Sequence, residues 1–413
     1  MRQADFLDPV AADGVEPRAG VDGVRRLTVL GATGSIGSST LDLVRRNPEA
    51  FDVVALTAQT NVDKLAESAR AVSAKRAVIA DEGQYEALKQ ALSGSGIEVA
   101  AGAEALVEAA EVPVDCTIAA IVGAAGLRPS LAAVRGGGRL ALANKECLVS
   151  AGDVFMREVA EAGCELLPVD SEHSAAFQVL RDSDRGAVEK IVLTASGGPF
   201  RDWPAEKIAS ATREQALKHP NWSMGAKITV DSATMMNKGL ELIEALHLFP
   251  VQADQLGMVV HPQSIVHCLV SFVDGSVLAQ MAHPDMRTPI ALALSWPQRM
   301  DAPTRRLDLS EIGQLTFEAA DEVRFPAIRV SRAAMERGGT APAILNAANE
   351  VAVASFLEGR IKVPEIAAVV EDTLDMSEQR GEICCANVLD DVLSCDTNAR
   401  AFATECLERR FAQ

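Results

Sequence analysis

None of the eight cysteines, at positions 116, 147, 164, 268, 384, 385, 395 and 406, stands in a C-x-x-C pair. A zinc ribbon or a redox dithiol needs that spacing, so neither a metal ribbon nor a disulfide framework is indicated, and reduced thiols are expected. The 413 residues also lack an apolar run of 18, which speaks against a membrane-spanning helix. The N-terminus carries acids at Asp5, Asp8 and Asp13 and has no basic stretch ahead of an apolar core, so a cytoplasmic protein is expected rather than an exported one. Positive charge is scarce: 39 lysines and arginines against 57 acids leave a formal net charge of -18. Nucleic acid and anionic membrane surfaces are therefore poor partners, whereas a local basic pocket can still take a phosphorylated small molecule.

What is present is a chain long enough for two or three domains and, at 48% hydrophobic residues, able to fill their cores. Residues 1–24 mix Ala, Asp, Gly, Pro and Val without period and read as a flexible extension. From Leu27, β-branched runs at 27–30, 53–56, 77–80, 116–119, 140–142 and 166–169 alternate with helical patterns. That alternation predicts an α/β fold with a parallel, Rossmann-like sheet over 25–169. The rhythm then changes. Apolar runs either side of Asp274-Gly275 predict an antiparallel hairpin in a central α+β catalytic and dimerisation domain, 170–297. A proline-interrupted linker is expected at 298–325, and a small C-terminal helical domain at 326–413.

Glycines 31, 34 and 37 follow the first strand at the mouth of the first helix. A tight turn, close backbone approach and free helix N–H groups there suit a dinucleotide pyrophosphate. At the end of the second strand the chain reads Thr57-Ala58-Gln59-Thr60-Asn61, with no carboxylate to repel a 2′-phosphate and no base to attract one. The missing acid favours NADP over NAD. Asn144, Lys145 and Glu146 follow another parallel strand, the end at which open α/β sheets bind ligands. Tyr85 and Lys89 mimic a short-chain dehydrogenase pair but lie in a polar helical run and read as a solvated face.

The stretch 166–172 ends on Asp170 and Glu172, separated only by Ser171. In an extended chain residues two apart share a side, so these carboxylates repel unless a cation, a proton or a basic side chain lies between them. Asp231-Ser232 echoes the motif, and Asn237-Lys238 then opens a helix with Glu241 and Glu244 three apart on one face. Two such carboxylates plus one from the helix suit a hard divalent cation; ion pairs with neighbouring Lys or Arg are the structural alternative. Residues 195–200 and 219–225 add a glycine turn, His219 and Trp222, the second stretch suiting a mobile lid.

In this order, GATGSIGSSTLD, AAIVGAAGL, LANKECLV, LPVDSEH, ASGGPF, HPNWSMG, VDSATMMNKGLE, HPQSIVH, DGSVLAQ, PDMRTPI and NAANE closely resemble the 1-deoxy-D-xylulose 5-phosphate reductoisomerase family from Leu27 onward. The resemblance implies a three-domain, V-shaped homodimer that uses NADPH and Mg²⁺, Mn²⁺ or Co²⁺ on a phosphorylated sugar. It implies Asp170, Glu172 and Glu241, rather than Glu244, as metal ligands, and with Lys145 as the catalytic set. Ser196, His219, Ser232, Asn237 and Lys238 match the substrate pocket around the phosphate, and Lys145 and Ser171 match contacts nearer the reacting end. Thr33, Gly34, Ser35, Ile36, Asn61, Asn144, Glu146 and Gly225 match NADPH contacts, and Trp222 and Met224 fall in the lid. Gln59-Thr60 departs from the family, where a Gly and often a Lys or Ser precede the Asn. Two rivals fit parts of the pattern. A semialdehyde dehydrogenase shares the G-A-T-G opening but needs a nucleophilic Cys, for which Cys147 is the nearest candidate, and a non-catalytic NADP sensor has no use for the acids.

Overall fold

In a computed structural model, the structure describes residues 23–411 apart from 182 and 223, so most of the expected N-terminal extension lies outside it. The chain forms two compact units.

The first unit takes in residues up to 147, 155–174 and 285–305. Its seven strands are β1 (Arg25–Leu30), β2 (Phe51–Ala58), β3 (Arg76–Ile79), β4 (Glu98–Ala101), β5 (Cys116–Ala119), β6 (Arg139–Leu142) and β7 (Glu165–Pro168). All neighbours pair in parallel in the order β4-β3-β2-β1-β5-β6-β7. The central strands are near-continuous apolar runs because helices cover both faces. β4 escaped the sequence reading since it is a short edge strand with no fully buried residue. The chain runs outward from β1 to β4 and then restarts on the other side of β1 with β5. That reversal is where an open α/β sheet leaves a crevice at its carboxyl ends. The helix Arg287–Ser295 returns to this unit, where Arg25 bonds the carbonyl of Leu294 and the Trp296 indole donates to Glu165 at 2.5 Å.

The second unit takes in 148–154, 175–284 and 306–413. Strands β8 (Val188–Ala195), β9 (Leu256–Val260), β10 (Val266–Phe272) and β11 (Val277–Met281) form a mixed sheet in the order β11-β10-β8-β9. β10 and β11 are the expected hairpin, turning at Gly275 with φ +85°. The expected C-terminal helices are Ala327–Arg337, Ala341–Leu357, Val363–Gln379 and Leu389–Phe411. Buried residues occur all round Ala341–Leu357, which makes it the core helix about which the others pack. Among the described residues no helix is long and apolar enough to cross a membrane.

Candidate active site

The glycine loop sits at the end of β1. A Cβ on Gly31 would lie 2.6 Å from the Ala120 carbonyl oxygen, and one on Gly37 2.4 Å from that of Gly31. Only bare backbone lets β1, the end of β5 and the helix Ser35–Arg46 close together here. Gly34 caps that helix without a side-chain hydrogen bond, so its first-turn N–H groups are unclaimed by a cap, as a pyrophosphate requires. Thr33 and Ile36 are half-buried, and Gly34 and Ser35 are exposed. The Asn61 side chain caps the helix Val62–Ala71 by accepting from the Lys64 N–H at 3.0 Å. The Lys64 ammonium donates to the Thr33 carbonyl at 2.7 Å. The cradle fits a dinucleotide.

Beyond β6, Asn144, Lys145 and Glu146 are all buried rather than exposed in a solvated loop. Asn144 Nδ2 donates to the carbonyls of Ile121 and Gly123, the latter at 3.1 Å. A Cβ on Gly126 would fall 2.1 Å from that same nitrogen, so the motif at 119–127 is the receptacle for Asn144. Lys145 Nζ lies 2.8 Å from Asp170 Oδ2 in a largely buried ion pair.

The geometry of the acidic pair differs from the extended-strand expectation. β7 stops at Pro168 and the helix begins at Ser171, so Glu172 lies in a first helical turn. Asp170 precedes that helix: its carbonyl accepts the Ser174 N–H at 2.8 Å and its carboxylate the Glu172 N–H at 3.4 Å. Capping competes with strand extension at an Asp, and capping wins. Carboxylate oxygens of Asp170 and Glu172 still lie within 4.8 Å of each other. Ser171 Oγ bonds Glu172, and His173 Nδ1 comes within 3.5 Å of Asp170. Lys145 is thus one answer to the repulsion, and an oxygen-rich donor set of this kind suits a hard cation.

In the second unit, Ser196 follows β8 and is brought against Ser232 by Gly198, whose φ is +67° and whose Cβ would lie 2.5 Å from the Ser232 carbonyl oxygen. His219 Nε2 is 3.0 Å from Ser196 Oγ, while Nδ1 accepts the N–H groups of Asn221 at 3.1 Å and Trp222 at 3.0 Å. With Nδ1 an acceptor, Nε2 carries the proton and donates to Ser196. Burial lowers the His219 pKa to about 4, which keeps the ring neutral. Met224 is half-buried, and Gly225 is the exposed residue that caps the helix Ala226–Thr234. That helix stops at Met235, φ +64°, and the chain turns at once into Met236–Leu248. Asn237 and Lys238 both donate to Glu241, which is buried, as is Glu244 one turn later. Ser196 also borders a cavity of about 440 Å³ with Trp203 and Lys218.

Sequence profiles of 1-deoxy-D-xylulose 5-phosphate reductoisomerase match residues 27–152, its C-terminal domain 166–249, and the DXP reductoisomerase C-terminal domain 281–402. The reductoisomerase of Rhodospirillum centenum is 57% identical over 393 residues, 95% of this chain and 97% of that one. The chain belongs to the 1-deoxy-D-xylulose 5-phosphate reductoisomerase family. A solved reductoisomerase from Zymomonas mobilis in complex with NADPH is 51% identical with a TM-score of 0.88, covering 93% of this chain and 99% of that one. A DOX-P reductoisomerase in complex with NADPH, fosmidomycin and magnesium is 41% identical with a TM-score of 0.90, covering 93% and 98%.

Three contacts were not readable from the family motifs. Lys64 reaches the glycine loop from a helix in which it is one polar residue among many. Asn221 Nδ2 ties the stretch 219–225 to the Pro262 carbonyl at 2.7 Å and Ser264 Oγ at 2.9 Å. Asp231 is buried between Lys227 at 2.9 Å and Asn349 at 2.8 Å, which gives the NAANE motif a role in holding the helix that bears Ser232. The repeated Val-Asp-Ser was the available signal for Asp231; its partner 118 residues away was not readable.

Proposed function

We infer that this chain rearranges 1-deoxy-D-xylulose 5-phosphate and reduces the product with NADPH to 2-C-methyl-D-erythritol 4-phosphate, with a divalent metal ion. Family membership over 95% of the chain at 57% identity carries the reading. Asp170, Glu172 and Glu241 are the proposed metal ligands; the bound ion supplies Lewis-acid stabilisation of enolate-like charge and NADPH supplies the hydride. Thr33 to Ile36, Asn61, Asn144, Glu146 and Gly225 are the proposed cofactor contacts.

The residues' own parts follow from their bonds. Lys145 holds Asp170 and places a positive charge beside it, near the reacting end of the substrate with Ser171. Asn237 and Lys238 hold Glu241 in one rotamer and bring an amide and an ammonium for phosphate oxygens. Neutral His219 donates its Nε2–H to Ser196 and so orients that hydroxyl, and Ser196 and Ser232 offer hydroxyls to the same phosphate. The backbone N–H groups of Asn221 and Trp222 bonded to His219 couple that contact to the lid that carries Trp222 and Met224. Closure of such a lid excludes water from the rearranged product before reduction. A homodimer in the cytoplasm, with cofactor, catalytic and helical parts divided near residues 169 and 326, belongs to the same reading.

The test follows NADPH absorbance with 1-deoxy-D-xylulose 5-phosphate after chelator treatment, with and without added Mg²⁺. Oxidation only with metal and substrate together is expected, and none in a folded, NADPH-binding sample would overturn the reading. Glu241→Gln should lower kcat by at least about a thousandfold while NADPH binds as before, since the lost charge acts only on developing charge.

A further inference from the structure

The end of β2 poses an unanswered charge question. Gln59 and Thr60 are exposed, and neither they nor Asn61 carries a charge. A cofactor with a 2′-phosphate brings a doubly negative group to this place, at the end of the second strand next to the glycine loop. The chain as a whole carries a net charge of -18, so its field opposes that group.

Lys64 lies in the first turn of the helix that Asn61 caps, and its side chain folds back over the loop to donate to the Thr33 carbonyl at 2.7 Å. An ammonium has three donors, so the bond to Thr33 leaves two. The contact holds the charge between the two segments that flank an adenosine ribose in this fold, the glycine loop and the end of β2. Thr57 fastens the same corner, its Oγ1 accepting the Gly31 N–H at 3.0 Å.

We propose that Lys64 is the residue that selects NADPH over NADH in this chain, receiving the 2′-phosphate in place of a base next to Asn61. The inference rests on the NADPH reading above and adds a specificity determinant to it. The phosphate is bound by a charge presented from a helix one turn further along, already anchored to the loop it serves. A lysine suits this because its long stem lets the ammonium keep the Thr33 contact while turning its other donors to the phosphate.

The experiment titrates NADPH and NADH, without substrate, into wild type, Lys64→Met and Lys64→Arg, following nicotinamide fluorescence, and then measures kcat/KM with each cofactor. One charge-assisted hydrogen bond at an exposed site predicts that Lys64→Met weakens NADPH about tenfold. NADH should be unaffected, Lys64→Arg should retain most of the preference, and added salt should narrow the gap between cofactors. Unchanged NADPH affinity in Lys64→Met overturns the assignment. Equal losses for NADPH and NADH overturn it as well, because they would mean that Lys64 only shapes the loop. A wild type that does not prefer NADPH overturns the cofactor reading itself, an outcome separate from the behaviour of the variants.

Discussion

His219 shows how a single residue's environment decides its chemistry. Two backbone N–H groups on Nδ1 and burial disfavour a proton there, so the ring enters the site as a neutral donor. The folded-state pKa of about 4 lies below the ordinary 6.5. Between those values the unfolded chain binds a proton that the folded one refuses, so stability falls as pH drops from about 6.5 towards 4. Thermal unfolding against pH should therefore show a larger acid loss in wild type than in His219→Gln. Parallel curves would contradict the burial argument. The cysteines obey the same logic with opposite outcome. Cys116 and Cys164 are pushed up to about 12 by burial, and Cys147, the candidate nucleophile of the semialdehyde-dehydrogenase alternative, is fully buried away from a substrate. Cys384 and Cys385 are exposed, and a thiol reagent should label them first in the native protein.

At the level of elements, the site's placement depends on bonds between segments far apart in sequence. The helix Ala226–Thr234 is held by Asn349 through Asp231, both side chains almost fully buried. Replacing Asn349 by Leu leaves a carboxylate oxygen without that donor, a loss of about 1–3 kcal/mol in urea unfolding. Substrate KM should rise in the same variant, because Ser232 lies on the helix released. A second such joint is Asn144 against Gly126. A methyl at 126 needs the space of Asn144 Nδ2, so Gly126→Ala should displace Asn144 and weaken NADPH binding measurably by fluorescence titration. Unaltered affinity would mean that Asn144 does not help to shape the cofactor site. In both cases both partners stood in recognisable motifs, while the pairing between the motifs was not readable from the sequence.

For the whole molecule, metal binding by the proposed ligands Asp170, Glu172 and Glu241 is linked to folding stability. A ligand that binds only the folded chain stabilises it by about 2.7 kcal/mol at a hundred times its Kd. Mg²⁺ should thus raise the melting temperature of the chelator-stripped protein, and do so far less for Glu241→Gln. An equal rise in both would remove Glu241 from the ligand set.

The sequence by itself determined the strand-helix alternation, the hairpin at Asp274-Gly275 and the family, since apolar periodicity, turn residues and ordered motifs are local properties. It also nominated the residues proposed to carry the chemistry, because carboxylates, amides and glycines at fixed spacings announce themselves. Tertiary structure alone decided that Glu172 enters a helix rather than extending a strand, that Lys145 pairs with Asp170, and that Lys64 reaches Thr33. Edge strand β4 was also decided there, its short, partly exposed run becoming a strand only by pairing with β3. Each of these is a contact between segments whose separation in sequence carries no trace of it, and whose energy exists only once the backbone has brought the two groups within hydrogen-bonding reach.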